Sequence, residues 1–263
     1  MRGLICYYSG SGNTKLACEF IARTAQDVHF ELFDVVHDGE PDLTGYDLVG
    51  FATFADFFGP PMRMKTFIEV LPAQREKPAF LFNTFGSIGG KTLGLLDRWA
   101  SDRGFRIVAS HGLHTPESFP PMIARGMTFA DAPNEKELAA FHRFVAELGA
   151  IARRHASGLA IQDRRPRIGP FRLLPTFPRT QSRRSMGKKS VDAELCTKCG
   201  VCKSVCPYGA IELDPTPLFD QTKCYGCWAC YNHCPTQAIY TRKLRGVGHY
   251  PHPRQTLREK LGG

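Results

Sequence analysis

CTKCGVCKSVCP at residues 196–207 and CYGCWACYNHCP at residues 224–235 have the same spacing of cysteines, C-x2-C-x2-C-x3-C-P. The second stretch begins 28 residues after the first, from 196 to 224, and the similarity continues beyond the proline, where Ala210-Ile211 matches Ala238-Ile239. These two stretches contain eight of the 10 cysteines of the chain. Residues 196–239 are therefore an internal repeat, and each copy carries four candidate metal ligands.

This spacing is typical of the ligands of 4Fe–4S clusters and resembles that of the bacterial ferredoxins. Three thiolates separated by two residues lie on one tight loop, and the fourth, followed by proline, ligates the other cluster. One predicted ligand set is Cys196, Cys199, Cys202 and Cys234, and the other is Cys224, Cys227, Cys230 and Cys206. Structural zinc favours paired C-x2-C motifs, and a disulfide framework requires an oxidising compartment. We therefore predict two 4Fe–4S clusters in a small α+β domain.

The remaining cysteines and the aromatic residues of the repeat have simpler interpretations. Cys6 lies in an apolar strand-like run and Cys18 in a helix-like run, so we expect both to be small core residues. Tyr208, Tyr225 and Trp228 lie among the cluster ligands. We expect their rings to shield the clusters from water.

The composition limits the classes of protein to which the chain can belong. Its 263 residues are 43% apolar and 22% charged, which is typical of a globular protein and unlike a disordered or fibrous one. No segment approaches the ~20 apolar residues of a membrane-spanning helix, and the first residues lack the apolar run of a signal peptide. We therefore expect a cytoplasmic protein whose cysteines are ligands rather than disulfides.

The formal charge of +9 is concentrated in the middle of the chain. Residues 1–152 carry a net charge of −4, residues 153–189 a net charge of +10 and residues 190–263 a net charge of +3, which sum to +9. We predict an N-terminal domain over 1–155, a basic linker over 156–190, a ferredoxin domain over 191–243 and a poorly ordered basic tail over 244–263.

Three interpretations of the basic linker stay open. It is a solvated connection, a docking strip for a redox partner with an acidic surface, or an attachment to anionic lipid or nucleic acid. The first is favoured because no hydrophobic period is visible between residues 156 and 190. The last is least favoured because no amphipathic helix or aromatic-interleaved module accompanies the basic residues. We therefore expect no nucleic-acid partner, and the sequence predicts no oligomeric state.

The N-terminal 155 residues alternate between short apolar runs and amphipathic stretches. The predicted strands are 4–8, 28–33, 48–54, 79–85 and 106–110, and the predicted helices are 14–24, 62–71, 92–101 and 135–155. Strands that are almost continuously apolar and alternate with helices indicate an α/β fold with a parallel sheet covered on both faces. Ligands of such sheets bind at the carboxyl ends of the strands.

Three loops at these strand ends have the composition of a binding site. Ser9-Gly10-Ser11-Gly12-Asn13-Thr14 leads into a helix, where converging N–H groups can bind a phosphate. The alternative is an ordinary capped turn. The third strand ends in the aromatic loop Thr53–Pro61, and the fourth ends in the glycine-rich loop Asn83–Gly90. Flat apolar side chains beside closely approachable backbone suit a planar ring system.

This set of loops resembles that of the flavodoxins. The resemblance implies a doubly wound parallel sheet of order 2-1-3-4-5 and a bound FMN. The residues it assigns to the phosphate are Ser9, Gly10, Ser11, Gly12, Asn13 and Thr14, and those it assigns to the ring are Thr53, Phe54, Asn83, Thr84, Phe85, Gly86 and Gly90. The usual Trp/Tyr pair is missing, so Phe54, Phe57, Phe58 or Phe85 must stack on the ring, and the choice stays open.

Residues 111–133 are longer than a compact flavodoxin requires. We expect a surface loop, with a lid over the flavin as the alternative. His111 and His114 are expected to be solvated or bonded within the loop, and no catalytic residue is predicted.

The whole chain resembles the flavodoxin–ferredoxin fusion proteins. That resemblance implies electron transfer between a low-potential donor and a partner enzyme through FMN and the two clusters. The alternative is an FMN-dependent reductase of a small substrate, which requires a proton donor such as His114 or Glu117 close to the ring.

Overall fold

The computed structural model describes residues 1–166, 183 and 186–262. Its five-stranded sheet consists of β1 (Arg2–Tyr7), β2 (His29–Asp34), β3 (Leu48–Phe54), β4 (Lys77–Phe85) and β5 (Phe105–His114). All neighbouring pairs are parallel, in the order β2-β1-β3-β4-β5. The predicted flavodoxin-like strand order is therefore confirmed.

Helices cover both faces of this sheet. Successive strand residues point to opposite sides, so strands that are apolar throughout present an apolar surface on each face. Ile5 and Tyr7 of β1 pack into one core, with α1 (Asn13–Thr24) and α5 (Glu135–Ala156). Leu4 and Cys6 pack into the other, with α2 (Met62–Val70) and α3 (Thr92–Asp102). Cys6 and Cys18 are both fully buried, as expected.

The cysteine repeat forms a second compact unit with two small antiparallel pairs. β6 (Ser190–Val191) pairs with β9 (Ile239–Tyr240), and β7 (Ile211–Asp214) pairs with β8 (Thr216–Phe219). A one-turn helix follows each cysteine triplet, α6 (Val201–Ser204) and α7 (Ala229–Asn232). This is the small α+β domain that the repeat predicts.

The C-terminal residues form a helix, so the prediction of a poorly ordered tail is wrong. α8 (Gln255–Leu261) belongs to the same compact unit as the five-stranded sheet. Leu257 and Leu261 are fully buried in the core that contains α1. The Thr256 hydroxyl donates a hydrogen bond to the carbonyl oxygen of Ala130 at 2.8 Å. The physical reason is the Leu pair at i and i+4, which places two apolar side chains on one helical face.

Residues 117–128 belong to the unit that contains the cysteine repeat. They include the short helix α4 (Pro120–Ile123), whose two prolines are buried. Asn232 Nδ2 donates a hydrogen bond to the carbonyl oxygen of Ser118 at 3.1 Å, and the Phe119 ring packs edge-on against Trp228. The surface loop expected over 111–133 is therefore wrong for this part, and β5 continues to His114 rather than ending at 110.

The beginning of the predicted linker packs against the five-stranded sheet instead of being solvated. Ile161 is buried, and the backbone N–H of Arg164 donates a hydrogen bond to the carbonyl oxygen of Ile107 at 2.9 Å. Arg165 forms an ion pair with the buried carboxylate of Asp97 at 2.9 Å. Most of the linker, residues 167–182, 184 and 185, lies outside the described residues. The predicted domain boundaries stay predictions.

Across the described parts of the chain, no helix is long and apolar enough to cross a membrane.

Candidate functional site

Each predicted set of four cysteines lines one cavity of the second unit. The first cavity is lined by Cys196, Cys199, Cys202 and Cys234. The second is lined by Cys206, Cys224, Cys227 and Cys230. In each cavity, three thiols come from one repeat and the fourth comes from the other.

The four thiols of each set line a cavity rather than meeting at one point. A zinc ion requires its sulfur ligands at ≈ 2.3 Å from one point. Within residues 1–166, 183 and 186–262, no three His, Cys, Asp or Glu side chains converge in a way that would hold one ion. The thiols instead surround a cavity, which is the arrangement that a cluster of several irons needs. Burial raises the pKa of the Cys230 thiol, and the nearby charge of Lys189 acts in the opposite direction.

The backbone around the cavities repeats with the same period as the cysteines. Left-handed residues occur in pairs 28 positions apart: Lys198 with Gly226, Gly200 with Trp228, and Gly209 with Gln237. Each pair has one glycine and one residue with a side chain. The left-handed region costs non-glycine residues roughly 1–2 kcal/mol. The two loops therefore keep the same backbone conformation even at positions where one of the two residues disfavours it.

Backbone N–H groups also point at two cysteine sulfurs. The N–H of Ala210 donates to Cys206 Sγ at 3.4 Å, and the N–H of Ala238 donates to Cys234 Sγ at 3.3 Å. These bonds occupy equivalent positions in the two repeats. Hydrogen bonds to ligand sulfur stabilise the reduced cluster and so influence its reduction potential.

The loop between β1 and α1 has the backbone of an anion site. Gly12 adopts a left-handed conformation with φ of 93° immediately before the helix, and its N–H donates to Ser9 Oγ at 3.1 Å. The side chains of Asn13 and Thr14 are buried. They tie this loop to the ends of β5 and β4: Asn13 Nδ2 donates to the carbonyl oxygen of Pro116 at 3.0 Å, and the hydroxyls of Thr14 and Thr84 are 2.8 Å apart.

The two loops assigned to the ring meet at the same edge of the sheet. Phe54 lies with its ring centroid 5.1 Å from that of Tyr8, and a Cβ on Gly10 would lie 3.2 Å from the Phe54 ring. Asn83 is buried, and Phe85 and Gly86 are partly exposed. The four candidate phenylalanines, Phe54, Phe57, Phe58 and Phe85, are all partly exposed.

Thr53 and the loop that follows it carry two features of a site built for a ligand. The Thr53 hydroxyl is fully buried and has no hydrogen-bond partner among the described residues. Phe57 and Phe58 are consecutive left-handed residues, with φ of 53° and 69°. An unsatisfied buried hydroxyl costs about 1–3 kcal/mol, and strained backbone is concentrated at ligand sites. Both observations fit the FMN that the resemblance implies.

Comparison with known proteins identifies the C-terminal part of the chain. The 4Fe-4S binding domain family matches residues 189–212 and 217–240. An uncharacterized ferredoxin of Methanocaldococcus jannaschii is 35% identical over 60 residues, which is 21% of this chain and 78% of that protein. The chain belongs to the 4Fe–4S ferredoxin family. It joins this ferredoxin part to a flavodoxin-like sheet, so the predicted fusion is confirmed.

Two further similarities concern shorter or more distant matches. Pyruvate synthase subunit PorD of M. jannaschii is 45% identical over 51 residues. The match covers 19% of this chain and 59% of PorD. A flavodoxin of Streptococcus pneumonia TIGR4 aligns with 57% of this chain and 99% of its own, at 16% identity and a TM-score of 0.44.

His111 and Glu117, at the two ends of the 111–117 segment, have different environments. The His111 ring lies beside the rings of Phe82 and Phe144, with centroids 6.4 and 5.2 Å away, and burial lowers its pKa to about 4. It is a neutral packing residue rather than a solvated one. The Glu117 carboxylate accepts hydrogen bonds from the N–H groups of Ser118 and Phe119, both at 2.9 Å, so it shapes the chain locally.

His114, one of the two proton donors considered for the alternative reductase function, is paired with a carboxylate that the sequence analysis did not connect to it. Its ring stacks on Phe85 with centroids 5.4 Å apart, and its Nδ1 lies 3.0 Å from Glu137 Oε1. Its Nε2 is buried without a partner among the described residues. The sequence signals Glu137 only as part of the capping box with Asn134 at the start of α5. Its pairing across 23 residues has no local signal.

We expect Gly90→Ala to destabilise the five-stranded unit far more than Gly39→Ala. Both glycines are left-handed, with φ of 60° and 82°. A Cβ at Gly90 would lie 2.5 Å from the carbonyl oxygen of Phe58, whereas a Cβ at Gly39 would meet nothing within 4 Å among the described residues. Gly39→Ala should cost about 1–2 kcal/mol and Gly90→Ala about 1–3 kcal/mol more. Urea unfolding measures both, and equal losses would contradict the collision.

Proposed function

We propose that this chain is an electron carrier that holds two 4Fe–4S clusters and one FMN and passes electrons between a low-potential donor and a partner enzyme. The observation that carries the proposal is the pair of four-cysteine cavities in a chain that also has a flavodoxin-like sheet. When bound, the clusters exchange single electrons and the flavin exchanges one or two.

The cysteines hold the clusters, and the rest of each loop controls their surroundings. The first cluster is assigned to Cys196, Cys199, Cys202 and Cys234, and the second to Cys206, Cys224, Cys227 and Cys230. The N–H groups of Ala210 and Ala238 donate to one ligand sulfur of each set. Such ligands must be thiolates, which favours a reducing compartment such as the cytoplasm.

The loops at the carboxyl ends of β1, β3 and β4 are assigned to FMN. The Ser9–Thr14 loop binds the phosphate through backbone N–H groups at the start of α1, where the helix dipole favours an anion. Thr53, Asn83 and the 85–90 loop border the ring. The unpartnered hydroxyl of Thr53 supports this assignment, because a polar atom of the ligand would satisfy it.

The partner is proposed to be a redox protein with an acidic docking surface. The net charge of +10 over residues 153–189 supports this, since complementary charge accelerates association. The similar protein named as a pyruvate synthase subunit supports a role beside a larger redox enzyme. No nucleic-acid partner is proposed.

Anaerobic purification followed by metal and flavin analysis tests the cofactor content. We expect about eight irons, about eight sulfides and one FMN for each chain. Cys206→Ser should lose the iron of the second cavity, about half of the total, because that cavity then has three thiols. Cys18→Ala is the matched control, since Cys18 is buried in the other unit, and it should keep all the iron. Stoichiometric zinc, or full iron content in Cys206→Ser, would contradict the assignment.

Thr53→Val tests the flavin site by separating protein stability from ligand binding. Removal of the unpartnered hydroxyl should stabilise the FMN-free protein by about 1 kcal/mol and weaken FMN binding roughly tenfold. Thr14→Val is the comparison, because the Thr14 hydroxyl is bonded to that of Thr84 and its loss should destabilise the FMN-free protein. Urea unfolding and quenching of FMN fluorescence measure the two effects. Lower stability with unchanged FMN affinity in Thr53→Val would contradict the site.

The His114–Glu137 pair favours a second candidate function, an FMN-dependent reductase of a small substrate. A carboxylate that accepts the Nδ1 proton of His114 leaves Nε2 able to exchange a proton with a substrate. Glu117 does not serve in this way because its carboxylate is bonded to the backbone.

His114→Ala and Glu137→Gln decide between the two functions. If a small substrate is reduced, His114→Ala should slow turnover about 100-fold or more, and Glu137→Gln should slow it less, because the imidazole is retained. His142→Ala, an exposed histidine stacked on Phe20, is the control. Unchanged rates in all three variants, with electron transfer to a protein acceptor preserved, would leave the carrier as the sole function.

A further inference from the structure

The two cysteine cavities differ at the first position of their repeats. The two family matches begin at Lys189 and at Pro217, which are 28 residues apart and therefore equivalent. Lys189 lines the cavity of Cys206, Cys224, Cys227 and Cys230, and Pro217 lines the other cavity. At this position a cation lies beside the second set of thiols, where the first set has an uncharged ring. The lysine that lines the first cavity, Lys198, is exposed, whereas Lys189 is buried. Lys189 lies within the predicted linker, so its place beside the thiols is visible only in the structure.

The charge of Lys189 is removed from solvent. Its side chain is 6% exposed, and its Nζ lies 3.4 Å from the centroid of the Trp228 ring, itself buried in the loop between Cys227 and Cys230. Contact with an aromatic face replaces part of the hydration free energy that a cation loses on leaving water. Because water screens a buried charge only weakly, Lys189 acts on its surroundings more strongly than a surface lysine does. Its neighbour Lys188 is exposed.

The remaining wall of the second cavity is also more aromatic than that of the first. Tyr208 and Tyr225 stack on each other with ring centroids 4.7 Å apart, and both line the second cavity. The equivalent residues of the first cavity are Thr236 and Thr197. An apolar wall disfavours additional negative charge, but it also leaves the field of Lys189 unscreened.

We propose that Lys189 raises the reduction potential of the cluster held by Cys206, Cys224, Cys227 and Cys230, so that an electron shared by the two clusters resides there. Reduction adds one negative charge to a cluster, and a buried positive charge beside it stabilises the reduced form. The inference rests on the proposed function, because it requires both clusters. It gives the electron path a direction within the ferredoxin part, towards the second cavity.

Lys189→Met in the full-length, cluster-loaded protein tests the proposal. Potentiometric titration followed by electron paramagnetic resonance gives the midpoint potential of each cluster. We expect the ratio of reduced to oxidised cluster to fall roughly tenfold for one cluster, equivalent to about 59 mV for a one-electron couple. The other midpoint should stay unchanged. Lys189→Arg, which keeps the charge, should leave both midpoints close to those of the wild type.

Lys188→Met is the matched control, since it removes the same charge from the adjacent exposed position. It should shift neither midpoint. If Lys189→Met loses iron, Lys189→Gln provides the same loss of charge with a polar side-chain end. Unchanged midpoints in the loaded neutral variant, or equal shifts of both clusters, would overturn the role of Lys189. A wild-type protein without eight irons would instead overturn the proposed function, so the two failures are distinguishable.

Discussion

Each four-cysteine cavity takes three thiols from one repeat and its fourth from the other. Cys234 completes the first cavity, and Cys206 completes the second. Among the described residues, the apolar cluster of this unit is small, with six buried members that include Trp228 and Tyr231. A core of that size stabilises a fold only marginally, so we expect metal binding to supply much of the folding free energy. Because the ligands are exchanged between the repeats, neither half can form its cavity alone.

The two repeats retain their backbone even where their side chains have diverged. Gly200 and Trp228 occupy equivalent left-handed positions, and so do Lys198 and Gly226. Trp228 is an unfavourable residue for that conformation, but its ring covers the second cavity and contacts Lys189. The strain at Trp228 is thus offset by packing that Gly200 cannot provide. The side chains of the two repeats have diverged while the loop backbone is the same, and this makes the surroundings of the two thiol sets unequal.

Local patterns predicted the elements that depend on neighbouring residues. The cysteine spacing gave both four-thiol sets, and the alternation of apolar runs with amphipathic stretches gave the parallel sheet. Contacts between distant residues had no such signal. The pairing of His114 with Glu137 joins the end of β5 to α5, and Arg165 of the supposed linker pairs with Asp97 of α3. From the sequence alone, an arginine in a segment rich in arginine and glycine is predicted to be exposed to solvent. The buried carboxylate with which it pairs is known only from the structure.

The order of the chain and the order of the folded units do not coincide. Residues 117–128 interrupt the flavodoxin-like part and pack with the cysteine repeat, whereas α8, at the other end of the sequence, packs with the five-stranded sheet. Leu257 and Leu261 are fully buried in the core of that sheet, so a fragment that ends before α8 leaves apolar surface of α1 exposed. A fragment that begins after the linker likewise lacks Ser118 and Phe119, which contact Asn232 and Trp228. Each of the two units therefore completes its packing with a segment that lies on the other unit's side of the sequence, and we expect a cut at the linker to leave both units with incomplete cores.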